Sequence, residues 1–161
     1  MSTWEERLVA LGLALPATPV PNGQYRPVVV WNDVAYVAGQ VCRTADGVIP
    51  GPVHDATDPA TIERAAQACV LRALAALDAE VGLDRVARII FLRGFVFAEA
   101  GFRHHPRVLD PASALLAAIF GPMGEHARSA VGVAGLPDGG LLEIEMVNKP
   151  ISGPSSSTLG G

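Results

Sequence analysis

Arg128 opens the stretch ARSAVGV, and fifteen residues later Glu143 and Glu145 take alternate positions of LLEIEMV. Both segments otherwise read as apolar sheet. A guanidinium stays charged and presents a planar fork that matches a carboxylate through two hydrogen bonds. A carboxylate can hold a water and take its proton as a general base. The strand period of two puts Glu143 and Glu145 on one face, with Leu142, Ile144 and Met146 on the other. Periodicity therefore does not say which glutamate is chemical and which is an interface or solvated charge; both could simply solvate an edge. Ala127, Ser129, Ala130 and Gly132 leave space beside Arg128. Its competing reading is an ion pair with a glutamate across the sheet.

Other reactive side chains form weaker patterns. His104 and His105 are adjacent, so a regular helix would aim them ~100° apart, unlike a chelating pair one turn apart. His54 and His126 have no evident partners, although His126 stands beside the arginine strand and could line a cleft. LPDGG lacks the strand–glycine–helix context of a phosphate loop. These side chains give no expectation of a metal site. Two cysteines, Cys42 and Cys69, are too few for a disulfide framework, and Cys69 reads as a small core residue within an Ala-rich helix.

The elements that must position these residues can be read along the chain. A cap-like Ser2 or Thr3 and an acidic first turn start a short surface helix that Gly12 and Pro16 end. A proline-stiffened linker follows, then β-type runs at Val28–Trp31 and Val34–Ala38 around the turn Asn32-Asp33. A further short strand is expected at Val48–Ile49. Asp58-Pro59 is a strong helix start. Ile62, Ala66, Cys69, Ala73 and Leu77 then recur at helical spacing up to the stop at Gly82, with Glu63, Arg64, Gln67 and Arg72 largely off that face. RVARIIFLRGFVFAE predicts a buried central strand. FRHHPRVLDPASALLAAIFG predicts a second long helix whose start Pro106 and Pro111 obscure. Strands at Ser129–Val133 and Leu142–Val147 complete an α+β domain with two helices on one face of a mixed sheet.

Bulk properties narrow the function. With 161 residues, half of them hydrophobic and 17% charged, the chain predicts one domain over 1–150 and a flexible Gly/Ser-rich tail over 151–161. Its low charge leaves apolar surface that favours an oligomer. A net charge of −4 and a pI near 5.5 argue against a nucleic-acid partner. The N-terminus lacks the pattern of a signal peptide, and no run approaches a membrane span. A cytoplasmic protein is the expectation.

Three stretches together carry a resemblance. GQYRPVVVWNDVAYVAGQV, AAQACVLRALAAL…VGLDRVARIIFLRGFV and ARSAVGV…LP…LEIEMV resemble, in order and spacing, the signatures of the RidA/YjgF family over roughly Gly23 to Val147. ERLVALGLALP and HARSAVGV are similar to a longer branch of that family, often labelled endoribonuclease L-PSP. The resemblance implies a chorismate-mutase-like fold with an N-terminal helix extension, a homotrimeric barrel packed through its sheets, and three clefts between subunits. It also implies hydrolysis of 2-imino and 2-enamino acids to 2-keto acids and ammonia without metal or organic cofactor. Carried over residue by residue, Arg128 would grip the substrate carboxylate, Glu143 would orient water, and Tyr25 would shape the cleft mouth. Gly39, Gln40 and Ala130 would line the binding wall. Tyr25 reads equally as an amphipathic interface residue, and Gly39 as a strand bulge. Two departures bear on substrate identity: Cys42 stands where the family commonly has proline, and Ala130 where many members have cysteine. A non-catalytic trimer binding a small carboxylate metabolite is the alternative function, and an endoribonuclease the third.

Overall fold

The structure, a computed structural model, describes residues 3–151. The tail from residue 152 onward, read above as flexible, lies outside the described residues. Helix α1 (Trp4–Ala10) starts from a reciprocal capping box: the Thr3 hydroxyl accepts from the Glu6 N–H while the Glu6 carboxylate accepts from the Thr3 N–H. Strands β1 (Val28–Trp31) and β2 (Val34–Val41) form the expected hairpin. Asn32 and Asp33 both take positive φ, 48° and 57°, as a tight two-residue hairpin turn requires. Short strands β3 (Arg43–Thr44) and β4 (Gly47–Val48) make a small separate ribbon.

Helix α2 (Pro59–Glu80) begins where Asp58-Pro59 predicts, the Asp58 carboxylate accepting from the Ala60 N–H at 3.0 Å. Its predicted apolar positions Ala66, Cys69, Ala73 and Leu77 are fully or almost fully buried. Strand β5 (Val86–Phe97), helix α3 (His105–Phe120), strand β6 (Ala127–Val133) and strand β7 (Leu142–Pro150) follow. The main sheet runs β1-β2-β7-β5-β6, antiparallel except for β5 and β6. Those two are parallel because α3 carries the chain back across the sheet between them.

Helices α2 and α3 pack together against one face of this sheet, and α1 packs on α3. Leu74, Leu77, Leu92, Leu116, Ile144 and Met146 fill the interface between layers. Three strands run beyond their predicted ends: β2 to Val41, β7 to Pro150, and β6 back to Ala127 so as to take in Arg128. Long β5 supplies ladder partners for polar residues such as Asn148 and Lys149 that β-propensity alone would not recruit. No helix of the described residues is long and apolar enough to cross a membrane.

Among the described residues the other sheet face carries no helix. It exposes Trp31 at 71% and Tyr36 at 50%, with Val29 and Val131 also exposed. Across this face Arg93 forms an ion pair with Glu145.

Close packing beneath α3 gives one stability prediction. A Cβ added at Gly124 would collide with the Leu116 carbonyl oxygen. That atom is backbone, so no rotamer change relieves the collision. Gly124→Ala is expected to cost about 3 kcal/mol, read as a lowered midpoint in urea unfolding.

Candidate active site

Four of the predicted site residues converge. Tyr25, Gly39, Gln40 and Glu143 line one cleft of about 480 Å³, together with Arg43, Arg72, Asp138 and the proline-rich segment from Pro19 to Pro27. Tyr25 comes from the linker before β1. Gly39 and Gln40 come from β2, where the register with β7 shifts between Val37 and Gln40. Gly39 thus sits in a bulge as well as in the cleft wall. Glu143 enters from β7, opposite Val41 on one side and Phe95 on the other.

Electrostatics separate the two glutamates that periodicity could not. Glu145 is tied to Arg93, whereas Glu143 makes no hydrogen bond or ion pair among the described residues. Burial holds the Glu143 carboxyl above the usual carboxylate range, and the neighbouring Glu145 charge adds to the shift. A half-buried carboxylate without a partner is the group that can hold a water and accept its proton.

Its position depends on Gly39. A Cβ there would collide with Glu143 Oε1, so only glycine lets the carboxylate lean across β2. The φ of Gly39 is not in the left-handed region, and alanine at this place costs contact, not backbone strain. Gly39→Ala is expected to displace the Glu143 carboxylate and lower turnover about tenfold or more, with a melting temperature close to wild type.

Two cysteines brace the same strand. The Leu142 N–H donates to Cys42 Sγ at 3.4 Å, and the Cys69 thiol donates to the Leu142 carbonyl at 3.3 Å. Cys42 donates in turn to the Ile49 carbonyl. Leu142, the residue immediately before Glu143, is therefore held at both its N–H and its carbonyl. The Cys69 side chain beside it holds the Cys42 thiol below the usual thiol range, while burial pushes Cys69 up.

Arg128 and Ala130 are not brought to this cleft. Arg128 pairs in parallel register with Leu92, a helix-facing core residue, while Glu143 pairs with Phe95, three residues on and so on the opposite face. The guanidinium reaches helix α3: Nη2 donates to Asp110 Oδ1 at 2.7 Å and to the Pro106 carbonyl at 3.3 Å, and Nη1 donates to Ser113 Oγ at 3.0 Å. The competing ion-pair reading of Arg128 is thus realised with an aspartate on a helix and not with a glutamate across the sheet. Asp110 is 61% exposed and Arg128 26%. An open depression of about 430 Å³ adjoins the pair, lined by Ser113, Ala114, Ala117, Glu125 and His126 besides Arg128. His126 Nδ1 lies 2.7 Å from the Gly124 carbonyl and Nε2 lies 3.0 Å from Ser113 Oγ. In the neutral tautomer Nδ1 donates, Nε2 accepts from the hydroxyl, and the histidine fixes the serine that receives Arg128. Ala130 pairs with Gly94 and packs on the core.

His104 and His105 serve as packing groups, each edge-on to Phe102, and His105 also covers Gly132. Among the described residues no three His, Cys, Asp or Glu side chains are grouped to hold a metal ion. Sequence reasoning missed Arg43, Arg72 and Asp138. The one available signal for Arg72 was its place three residues after buried Cys69, at the margin of the apolar face of α2.

Fold and cleft together define an α+β protein with helices on one sheet face and an unpaired carboxylate overlooking a polar cleft. The chain belongs to the endoribonuclease L-PSP, or RidA/YjgF, family, whose profile matches residues 16–149. It is 35% identical over 141 residues to Protein TCP17 of Trypanosoma cruzi, covering 86% of this chain and 88% of that protein. Among solved structures it is similar to the Agrobacterium tumefaciens protein Atu1372, of unknown function, at 34% identity and a TM-score of 0.84, over 93% of this chain and 94% of the other. A Shewanella oneidensis protein matches with 29% identity and a TM-score of 0.86, over 92% and 99% of the two chains. The mixed sheet and its two covering helices are those expected of the family.

Proposed function

We propose that this chain is the subunit of a homotrimeric deaminase that hydrolyses 2-imino and 2-enamino acids to 2-keto acids and ammonia. The observation that carries the reading is Glu143: unpaired, half-buried, held above its ordinary pKa and aimed into a cleft with Tyr25 at its rim. In the reaction a water held by Glu143 attacks the carbon of the C=N bond. Glu143 takes the water's first proton and passes it to the nitrogen, giving a carbinolamine. It then carries the new hydroxyl's proton to the same nitrogen as the C–N bond breaks, so that the carbonyl and ammonia are released and the carboxylate is regenerated. One water is consumed for each ammonia released, and Tyr25, which lines the same cleft, would donate a hydrogen bond to the oxygen as it becomes a carbonyl.

The substrate carboxylate needs a cation, and the proposed cleft takes it from Arg128 of an adjacent protomer. Support comes from the position of Arg128 on an edge strand and from the exposed apolar face of the sheet, which a second copy would cover. A substrate carboxylate would take over the place of Asp110, one anion replacing another at little electrostatic cost.

That same Asp110 pair favours a second reading, a trimer that binds a small carboxylate without turning it over. The family's name points to RNA cleavage instead, but a chain of net charge −4 with an acid at its cleft offers phosphates little. Ammonia release from freshly generated 2-iminopropionate tests the proposal. Wild-type protein no faster than buffer would remove it and leave the binding module.

A further inference from the structure

We infer that Arg72 binds a second anionic group on the ligand, so that the cleft selects dicarboxylic 2-imino and 2-keto acids over monocarboxylic ones. The inference deepens the deaminase reading by naming its substrate class, and it rests on that reading for the imine but not for the charge.

Arg72 projects from α2 into the cleft that holds Tyr25, Gln40 and Glu143. Its Nε is buried and has no hydrogen-bond partner. A buried charged donor left unmet is costly, and in native proteins such groups are nearly always satisfied. Among the described residues no carboxylate forms an ion pair with this guanidinium. The neighbouring cation Arg43 is neutralised by Asp138, and Gln40 is turned to its own backbone at Ala38. Glu143 shares the cleft but is not the partner: a guanidinium bound to it would pull its carboxyl down, whereas burial and Glu145 hold it up. Arg72 itself is shifted down by burial first and by the charge of Arg43 second, the direction of a cation waiting for an anion.

The α-carboxylate already has a proposed holder in Arg128. A guanidinium lining the same cleft as Glu143 therefore has a different anion to meet, and the acidic end of the ligand's own side chain would supply it. Inorganic phosphate carries comparable charge without the keto acid end and serves as the control.

Calorimetric titration of the intact protein with 2-oxoglutarate and with 2-oxopentanoate tests this, because the two differ only by the terminal carboxylate. The expected result is at least about tenfold tighter binding of 2-oxoglutarate, with phosphate weaker than either. Arg72→Gln should bring the two keto acids within about twofold, Arg72→Lys should keep part of the preference, and Arg43→Gln should keep most of it. Equal binding by wild type, a preference that survives Arg72→Gln, or one abolished by Arg43→Gln alone would overturn the assignment. If Arg72→Gln does not fold, the ¹⁵N signal of the wild-type Arg72 Nε–H decides: it should shift with 2-oxoglutarate and not with 2-oxopentanoate, and no shift overturns the inference. Selective binding without turnover of any imine removes the deaminase reading alone; turnover with equal binding removes the Arg72 assignment alone.

Discussion

Glu143→Gln is expected to lower turnover of 2-iminopropionate by about 10²–10⁴-fold while leaving the fold intact. Glutamine keeps the size of the side chain and can still hydrogen-bond water, but it takes no proton. The effect should appear in kcat, because the base acts on the water and the nitrogen and not on the ligand's carboxylate. Wild-type activity should also fall on acidification earlier than an exposed glutamate would allow, since the catalytic form is ionised and burial holds this carboxyl above its ordinary value. Stability gives a second check with a definite sign. Between the ordinary glutamate pKa and the raised folded one, the folded chain keeps a proton that the unfolded chain has lost. Stability therefore falls as pH rises through that window. Above it, Glu143→Gln should melt at a higher temperature than wild type. A pH–rate profile and paired thermal melts measure both. A variant with wild-type kcat would exclude Glu143 as the base.

Arg128→Ala is the second large effect. Loss of two charge-assisted hydrogen bonds to the substrate carboxylate should raise KM by roughly 10²–10⁴-fold. At ordinary substrate concentrations the variant should be indistinguishable from uncatalysed hydrolysis. Stability should fall by only about 1–3 kcal/mol, because the exposed Asp110 can be hydrated once its partner is gone and the other bonds lost are those to Ser113 and the Pro106 carbonyl. Steady-state kinetics beside urea unfolding separates the two outcomes. A variant that unfolds readily but keeps its KM would make Arg128 a structural strut for α3 and Ser113.

Particular residues show what a linear reading can and cannot reach. Asp58-Pro59, Asn32-Asp33 and the spacing from Ala66 to Leu77 announce local structure, because caps, turns and helical faces are decided within a few residues. Parity along β7 places Glu143 and Glu145 on one side, as expected. Which of them is free depends on Arg93, a strand neighbour fifty-two residues away, and on a bulge that brings Gly39 under Glu143. Both depend on register, which sequence periodicity does not encode. Arg72 sits off the apolar stripe of α2, as its spacing says, yet its Nε is buried where the linker segment around Tyr25 shares its cleft. Asp110 as the partner of Arg128 was hidden for a similar reason: two prolines obscured where α3 begins and therefore which side chains face β6.

Because Arg128 and Glu143 project from opposite faces of one sheet, the proposed chemistry needs two polypeptides for every reaction centre. Two individually dead variants, Arg128→Ala and Glu143→Gln, should then rescue each other when co-refolded. Random assembly supplies the arginine from one parent and the acid from the other in about one centre in four. Measurable complementation of that size, absent when either parent is refolded alone, would make catalysis a property of the assembly; none at all would return it to the single chain.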